Sequence, residues 1–169
     1  MLIQAGVASG DHGWVYLPAV LLSFVVMGMT LFPLERRGLL RPLFLTCIVL
    51  VMLVQAAWGW MSTGQPQLWL LALLLFVFFC GFNVLEASQP SLASRMAPAH
   101  ARGAALGVYN TLQSLGFFVG GALGGWLVKH VGVQGLFEVC SVAMLAWLLI
   151  AWRMRTPPVA LPATAPKAG

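Results

Sequence analysis

The stretch Gln67-Leu-Trp-Leu-Leu-Ala-Leu-Leu-Leu-Phe-Val-Phe-Phe-Cys-Gly-Phe-Asn-Val-Leu-Glu-Ala-Ser88 carries a single charge, Glu86, near its end. As an α-helix it would run about 33 Å, enough to cross the roughly 30 Å hydrocarbon core of a bilayer. Its apolar residues are continuous rather than alternating, and it is about twice the length of a barrel strand, so a strand is excluded. In hydrocarbon every peptide group must find its partner inside the chain, which leaves the helix as the spanning element.

Four further stretches read the same way, giving spans at about 14–33, 42–61, 67–88, 104–128 and 132–152. The whole chain agrees with them. Of its 169 residues 60% are hydrophobic and 8% charged, and the mean hydropathy is +0.91. A soluble domain carries about 25% charge, so a soluble enzyme is excluded. The expected fold is an all-α polytopic bundle of five transmembrane helices. The turn signals between spans are Glu35-Arg36-Arg37-Gly38, Ser62-Thr63-Gly64-Gln65-Pro66, a polar link around 89–103, and the short Lys129-His130 region.

The net charge of +5 points to orientation rather than to nucleic acid. With the N-terminus outside, Arg36, Arg37, Arg41, Arg95, Arg102, Arg153, Arg155 and Lys167 all fall inside, and Lys129 alone outside. This is the positive-inside bias of a protein with an outer N-terminus and a cytoplasmic C-terminus. Trp14, Trp58, Trp60, Trp69 and Trp126 then collect at the outer interface. Residues 1–13 read as the remnant of an outer loop belonging to a longer chain, although a true five-helix protein is the competing reading. Residues 14–155 form the membrane domain, and the Pro/Ala-rich residues 156–169 read as a disordered cytoplasmic tail.

No catalytic constellation is visible. Cys47, Cys80 and Cys140 fall one to a span, and His12, His100 and His130 lie in different loops, so no metal site is expected. The polar groups inside the spans are more informative. Glu86 and Glu138 are the only charged residues there, and an intramembrane acid costs about 2.5–3.5 kcal/mol at a helix centre unless it faces protein or water. On a helical wheel Asn83 and Glu86 share a face with Pro90. In the fourth span Tyr109 and Gln113 share a side with Gly116, Gly120 and Gly124, and Asn110 adjoins them with Gly121 and Gly125. Asn83, Glu86, Tyr109, Asn110 and Gln113 are therefore the candidates to line a solute or proton path. The five glycines from Gly116 to Gly125 are candidates for close helix packing. Gln55 is expected to make an interhelical hydrogen bond, and Glu138 to be a hydrogen-bonded structural acid beside Gln134 and Ser141.

With these residues in view, the sequence resembles the C-terminal half of a major facilitator superfamily transporter, in the YajR-like branch of its drug:proton antiporter group. Phe82-Asn83-Val84-Leu85-Glu86-Ala87, running on to Pro90-Ser91-Leu92, resembles that branch's tenth helix. The Arg102-Gly103 start and the glycine-rich run to Gly125 resemble its eleventh. Leu34-Glu35-Arg36-Arg37-Gly38 resembles the second copy of the family's cytoplasmic loop motif. It departs at Leu39 and Leu40, where the strong copy has basic residues.

The resemblance makes residues 14–152 helices eight to twelve of a twelve-helix fold and implies a missing N-terminal half and seventh helix. It implies alternating access driven by a proton gradient, with the proton as coupling ion and no other cofactor, in the bacterial inner membrane. Glu86 would be a protonation or substrate-charge site, and Glu35, Arg36, Arg37, Gly38 and Arg102 would belong to the cytoplasmic gate. The expected partners are the lipid bilayer, a small-molecule substrate and the other transporter half, with no nucleic acid. The alternative is a non-enzymatic docking or assembly protein built on a half-transporter bundle.

Overall fold

The computed structural model describes residues 10, 12–62, 64 and 67–154. The expected tail at 156–169 lies outside these residues, as does most of the 1–13 segment. The described chain folds into α1 (His12–Arg36), α2 (Leu40–Met61), α3 (Leu68–Met96), a single 3₁₀ turn (Ala99–Ala101) and α4 (Arg102–Trp152). No strand occurs among the described residues.

An unbroken α4 of 51 residues would reach about 77 Å, far beyond a bilayer. It is interrupted at Gly132, where φ is 76° and ψ 179°, a backbone region essentially confined to glycine. The chain reverses there. Residues 102–131 run antiparallel to α3, with Gln113 against Glu86 and Tyr109 against Gln89. Residues 133–152 run back along α2, with Phe137 on Trp58, Trp147 on Phe44 and the Trp152 carbonyl on Arg41. The bundle therefore makes five passes from four continuous helical stretches. The turn expected at Lys129-His130 is displaced, because both residues are helical, with His130 stacked on Trp126 at 4.4 Å. The link expected around 89–103 is also shorter, since α3 continues through Pro90 to Met96.

α1 and α3, one pass apart in the chain, run parallel: Ser23 of α1 meets Asn83 of α3, and further along Glu35 meets Ser91 and Arg95. The α1–α2 turn closes on Gly38, whose φ of +73° lets its amide donate to the Glu35 carbonyl at 3.0 Å. The Leu39 amide donates to the Leu34 carbonyl at 2.9 Å. This paired bonding is the glycine-terminated helix end in which orphan carbonyls are satisfied by the two residues past the cap.

The core runs along α2, where Leu40, Phe44, Cys47, Ile48, Val51 and Val54 form a buried stripe at helical spacing. Val84, Leu85 and Leu92 of α3, Leu31 of α1 and Ala151 of α4 close on it. The closest helix approach is at Gly81. A methyl added there would sit 2.9 Å from Val51 Cγ2 and 3.4 Å from the Cys47 carbonyl. Elsewhere the surface is apolar: Trp14, Met29, Phe118 and Ile150 are among many large side chains turned outward. Such a surface would drive aggregation in water but suits lipid, where apolar side chains face the acyl chains and polar groups are paired internally. The chain is a multi-pass membrane protein.

Two glycine substitutions should separate the packed from the open helix faces. Gly81→Val is expected to cost about 1–3 kcal/mol through overpacking, lowering the thermal unfolding midpoint of the detergent-purified chain by circular dichroism. Gly120→Val, where an added methyl meets nothing within 4 Å, should leave that midpoint close to wild type.

Candidate functional site

The structure brings Glu86, Tyr109 and Gln113 together and separates them from Asn83. Gln113 Nε2 donates to Glu86 Oε1 at 2.5 Å, and one turn further along α3 the Tyr109 hydroxyl donates to Gln89 Oε1 at 3.3 Å. The result is a polar ladder between α3 and the 102–131 segment, half-buried on both sides. Gln89 was not among the sequence candidates. Its signal is its position three residues after Glu86, on an adjoining strip of the same helix.

Asn83 faces the other way. Its Nδ2 donates to Ser23 Oγ of α1 at 2.8 Å, and Ser23 Oγ donates in turn to the Val20 carbonyl at 2.6 Å. Both side chains are buried. The shared Asn83–Glu86 face expected from the wheel is thus divided between two neighbours, because three residues on a helix leave a 60° gap. Asn110 is exposed on the far side of the ladder.

The fourth-pass glycines do not form a packing seam within the described chain. A methyl at Gly116, Gly120, Gly121 or Gly125 would meet nothing within 4 Å, and at Gly124 only Leu136 Cδ1 at 4.0 Å. The glycines that do permit close approach are Gly81 and Gly59, the latter with Phe137 Cβ at 3.3 Å. Gln55 also departs from expectation, since its Oε1 is buried without a hydrogen-bond partner. Glu138 accepts from Gln134 Nε2 at 2.8 Å, one turn away on its own helix, and remains exposed.

At the end of the bundle where α1 meets α2, Glu35 forms an ion pair with Arg95 and accepts from Ser91 Oγ at 3.3 Å. Arg95 was not a candidate either, although it lies in the last turn of α3. Arg36, Arg37 and Arg102 are exposed, so the charged motif is split into one residue tied to α3 and two that project. Gly38 serves the turn itself. Arg41 Nη2 donates to the Trp152 carbonyl at 2.6 Å and so caps the last helix.

Two hollows lie among the described residues. One, of about 190 Å³, lies between α2, α3 and residues 133–152 and is bordered by Gln55, Phe82, Glu86 and Trp147. The other, of about 410 Å³, is an apolar groove between the start of α1 and the start of α3, lined by Trp14, Pro18 and Trp69.

An apolar exterior, a helix broken at a glycine and a polar ladder between spans are features found in membrane transporter bundles. The chain belongs to the Major Facilitator Superfamily, whose family model matches residues 4–168. It is 34% identical over 157 residues to the Inner membrane transport protein YajR of Escherichia coli, covering 93% of this chain and 34% of that protein. It is 30% identical over 116 residues to the Uncharacterized transporter BU466 of Buchnera aphidicola, covering 69% of this chain and 29% of the relative. To the Multidrug resistance protein MdtH of Salmonella arizonae it is 31% identical over 116 residues, covering 64% and 28%. The chain spans about a third of the length of these relatives.

A double-mutant cycle tests the ladder. Glu86→Leu and Gln113→Leu, singly and together, should show a coupling of about 0.6–1.7 kcal/mol in unfolding free energy, the range for hydrogen bonds between membrane helices. Strict additivity would mean that the bond does not form.

Proposed function

We propose that these five passes are helices eight to twelve of a proton-coupled efflux transporter, working by alternating access against a complementary N-terminal half. The observation that carries this reading is the Glu86–Gln113 bond. A carboxylate is costly within a span, and here it is met by an amide on the neighbouring glycine-rich pass rather than by a cation. A group held in this way can take up and release a proton as the two helices shift. The open glycine face of residues 116–125 supports a partner outside the described bundle, because small residues let another helix approach closely. The name of one relative, Multidrug resistance protein, favours export.

In this reading Tyr109, Asn110 and Gln113 border the path used by Glu86, and Asn83 braces α3 against α1. The proton is the coupling ion and the substrate is a small molecule. Glu35, Arg36, Arg37, Gly38 and Arg102 form the cytoplasmic gate, with the Glu35–Arg95 pair as its latch within this chain. The N-terminus is outside and the C-terminus cytoplasmic, in a bacterial inner membrane. The positive-inside asymmetry supports that direction.

Two measurements test the proposal. A full-length transporter containing these residues should move ethidium against a pH gradient in proteoliposomes, and Glu86→Gln should abolish that flux. Unchanged coupled transport in the variant would refute the role of Glu86. For orientation, a cysteine at Arg37 should react with a membrane-impermeant maleimide only after permeabilisation, and one at Gln67 in intact cells. The reverse pattern would invert the topology.

A further inference from the structure

The end of the bundle where α1 turns into α2 also receives the end of α4. Arg41, in the first turn of α2, donates through Nη2 to the Trp152 carbonyl at 2.6 Å, and Arg153 follows directly. Both arginines are exposed, as is Arg37 in the turn before α2. A basic edge is thus built from two elements more than a hundred residues apart and joined by a hydrogen bond.

Nothing beside this edge neutralises it. Among the described residues the only acid at this end is Glu35, which pairs with Arg95 on α3. The last carbonyls of α4, which would repel an anion, are occupied. Ile150 accepts from the Arg153 amide at 3.2 Å, Ala151 from the Met154 amide at 2.9 Å, and Trp152 from Arg41. On the α2 side, the Leu40 and Arg41 amides have no backbone acceptor among the described residues, and a helix start carries partial positive charge. A guanidinium holds five N–H donors in a planar fork that matches phosphate. Arg41 uses Nη2 on Trp152, while Arg37 and Arg153 make no side-chain hydrogen bond or ion pair among the described residues.

The flank next to this edge is apolar and open. Leu149 and Trp152 lie one turn apart on α4 and both turn outward. An indole beside a charged edge suits the depth of lipid headgroups, and a leucine one turn deeper suits the acyl chains. Phosphate-matching donors above an open apolar wall fit an amphiphile with an anionic head. A soluble anion would use the donors alone, and a zwitterionic lipid would bring an ammonium group against the arginines.

We propose that Arg41 and Arg153 bind the phosphate of one anionic phospholipid, of the phosphatidylglycerol class, whose acyl chains lie along Leu149 and Trp152. The site involves neither Glu86 nor the polar ladder, so lipid binding and proton-coupled flux can succeed or fail separately.

The test is native mass spectrometry of the detergent-purified chain, titrated with dioleoyl phosphatidylglycerol or dioleoyl phosphatidylcholine. One phosphatidylglycerol per chain should be retained, about tenfold more tightly than phosphatidylcholine. Arg153→Gln should weaken phosphatidylglycerol retention about fivefold, and Arg41→Gln at least as much. Lys129→Gln removes the same charge from another exposed residue and should leave retention unchanged. Equal retention of the two lipids, full retention in Arg153→Gln, an equal loss in Lys129→Gln, or displacement of the lipid by inorganic phosphate would overturn the proposal. The comparison of lipids uses the unaltered chain and decides the question even if loss of the Arg41 contact prevents that variant from folding.

Discussion

A peptide group in hydrocarbon has no partner except another part of the protein, and leaving it unpaired costs several kcal/mol. The structure answers this requirement at each place where a helix must stop. At the first turn, Gly38 takes a positive φ so that the Leu34 and Glu35 carbonyls receive amides from the residues that follow. At the last helix end the Trp152 carbonyl is taken by Arg41, from a helix more than a hundred residues earlier. Between the fourth and fifth passes the chain does not stop at all: helix runs up to Gly132 and resumes immediately after it. Hydroxyls inside α1 follow the same economy, with Thr30 Oγ1 bonding back to the Val26 carbonyl at 2.8 Å.

Side-chain polarity is placed under the same constraint. Asn83 is spent on Ser23, where it ties α1 to α3 in a dry contact, while Glu86 and Gln89 turn toward the fourth pass. One helix thus holds a buried polar contact on one flank, beside core residues such as Val84 and Leu85, and a half-buried ladder on another.

The membrane class, the helical passes and the antiparallel reversal at the end of the chain were legible because they follow from length, continuous hydropathy and charge placement. Polar partnerships were legible only in part. Glu86 and Gln113 were each singled out as a polar group in an apolar span, yet nothing in a wheel says which helix will face which. A 60° offset was enough to send Asn83 to a different neighbour. The glycines were legible only as candidates: an absent side chain marks where a close approach is possible, not where it occurs. Gly81 is tight because Val51 and Leu50 lie against it, whereas Gly120 and Gly121 have nothing beside them in this chain. Gln55 looked like an ordinary interhelical donor or acceptor, and only the packed bundle reveals that its oxygen is shut away without one.

The loopless reversal at Gly132 also bears on how the chain is made. Residues 102–131 are rich in glycine and carry Tyr109, Asn110 and Gln113, and residues 133–152, which hold Gln134 and Glu138 in an otherwise apolar run, follow with no spacer. With no spacer between them, the two segments have the form of a helical hairpin that can enter the bilayer as one unit.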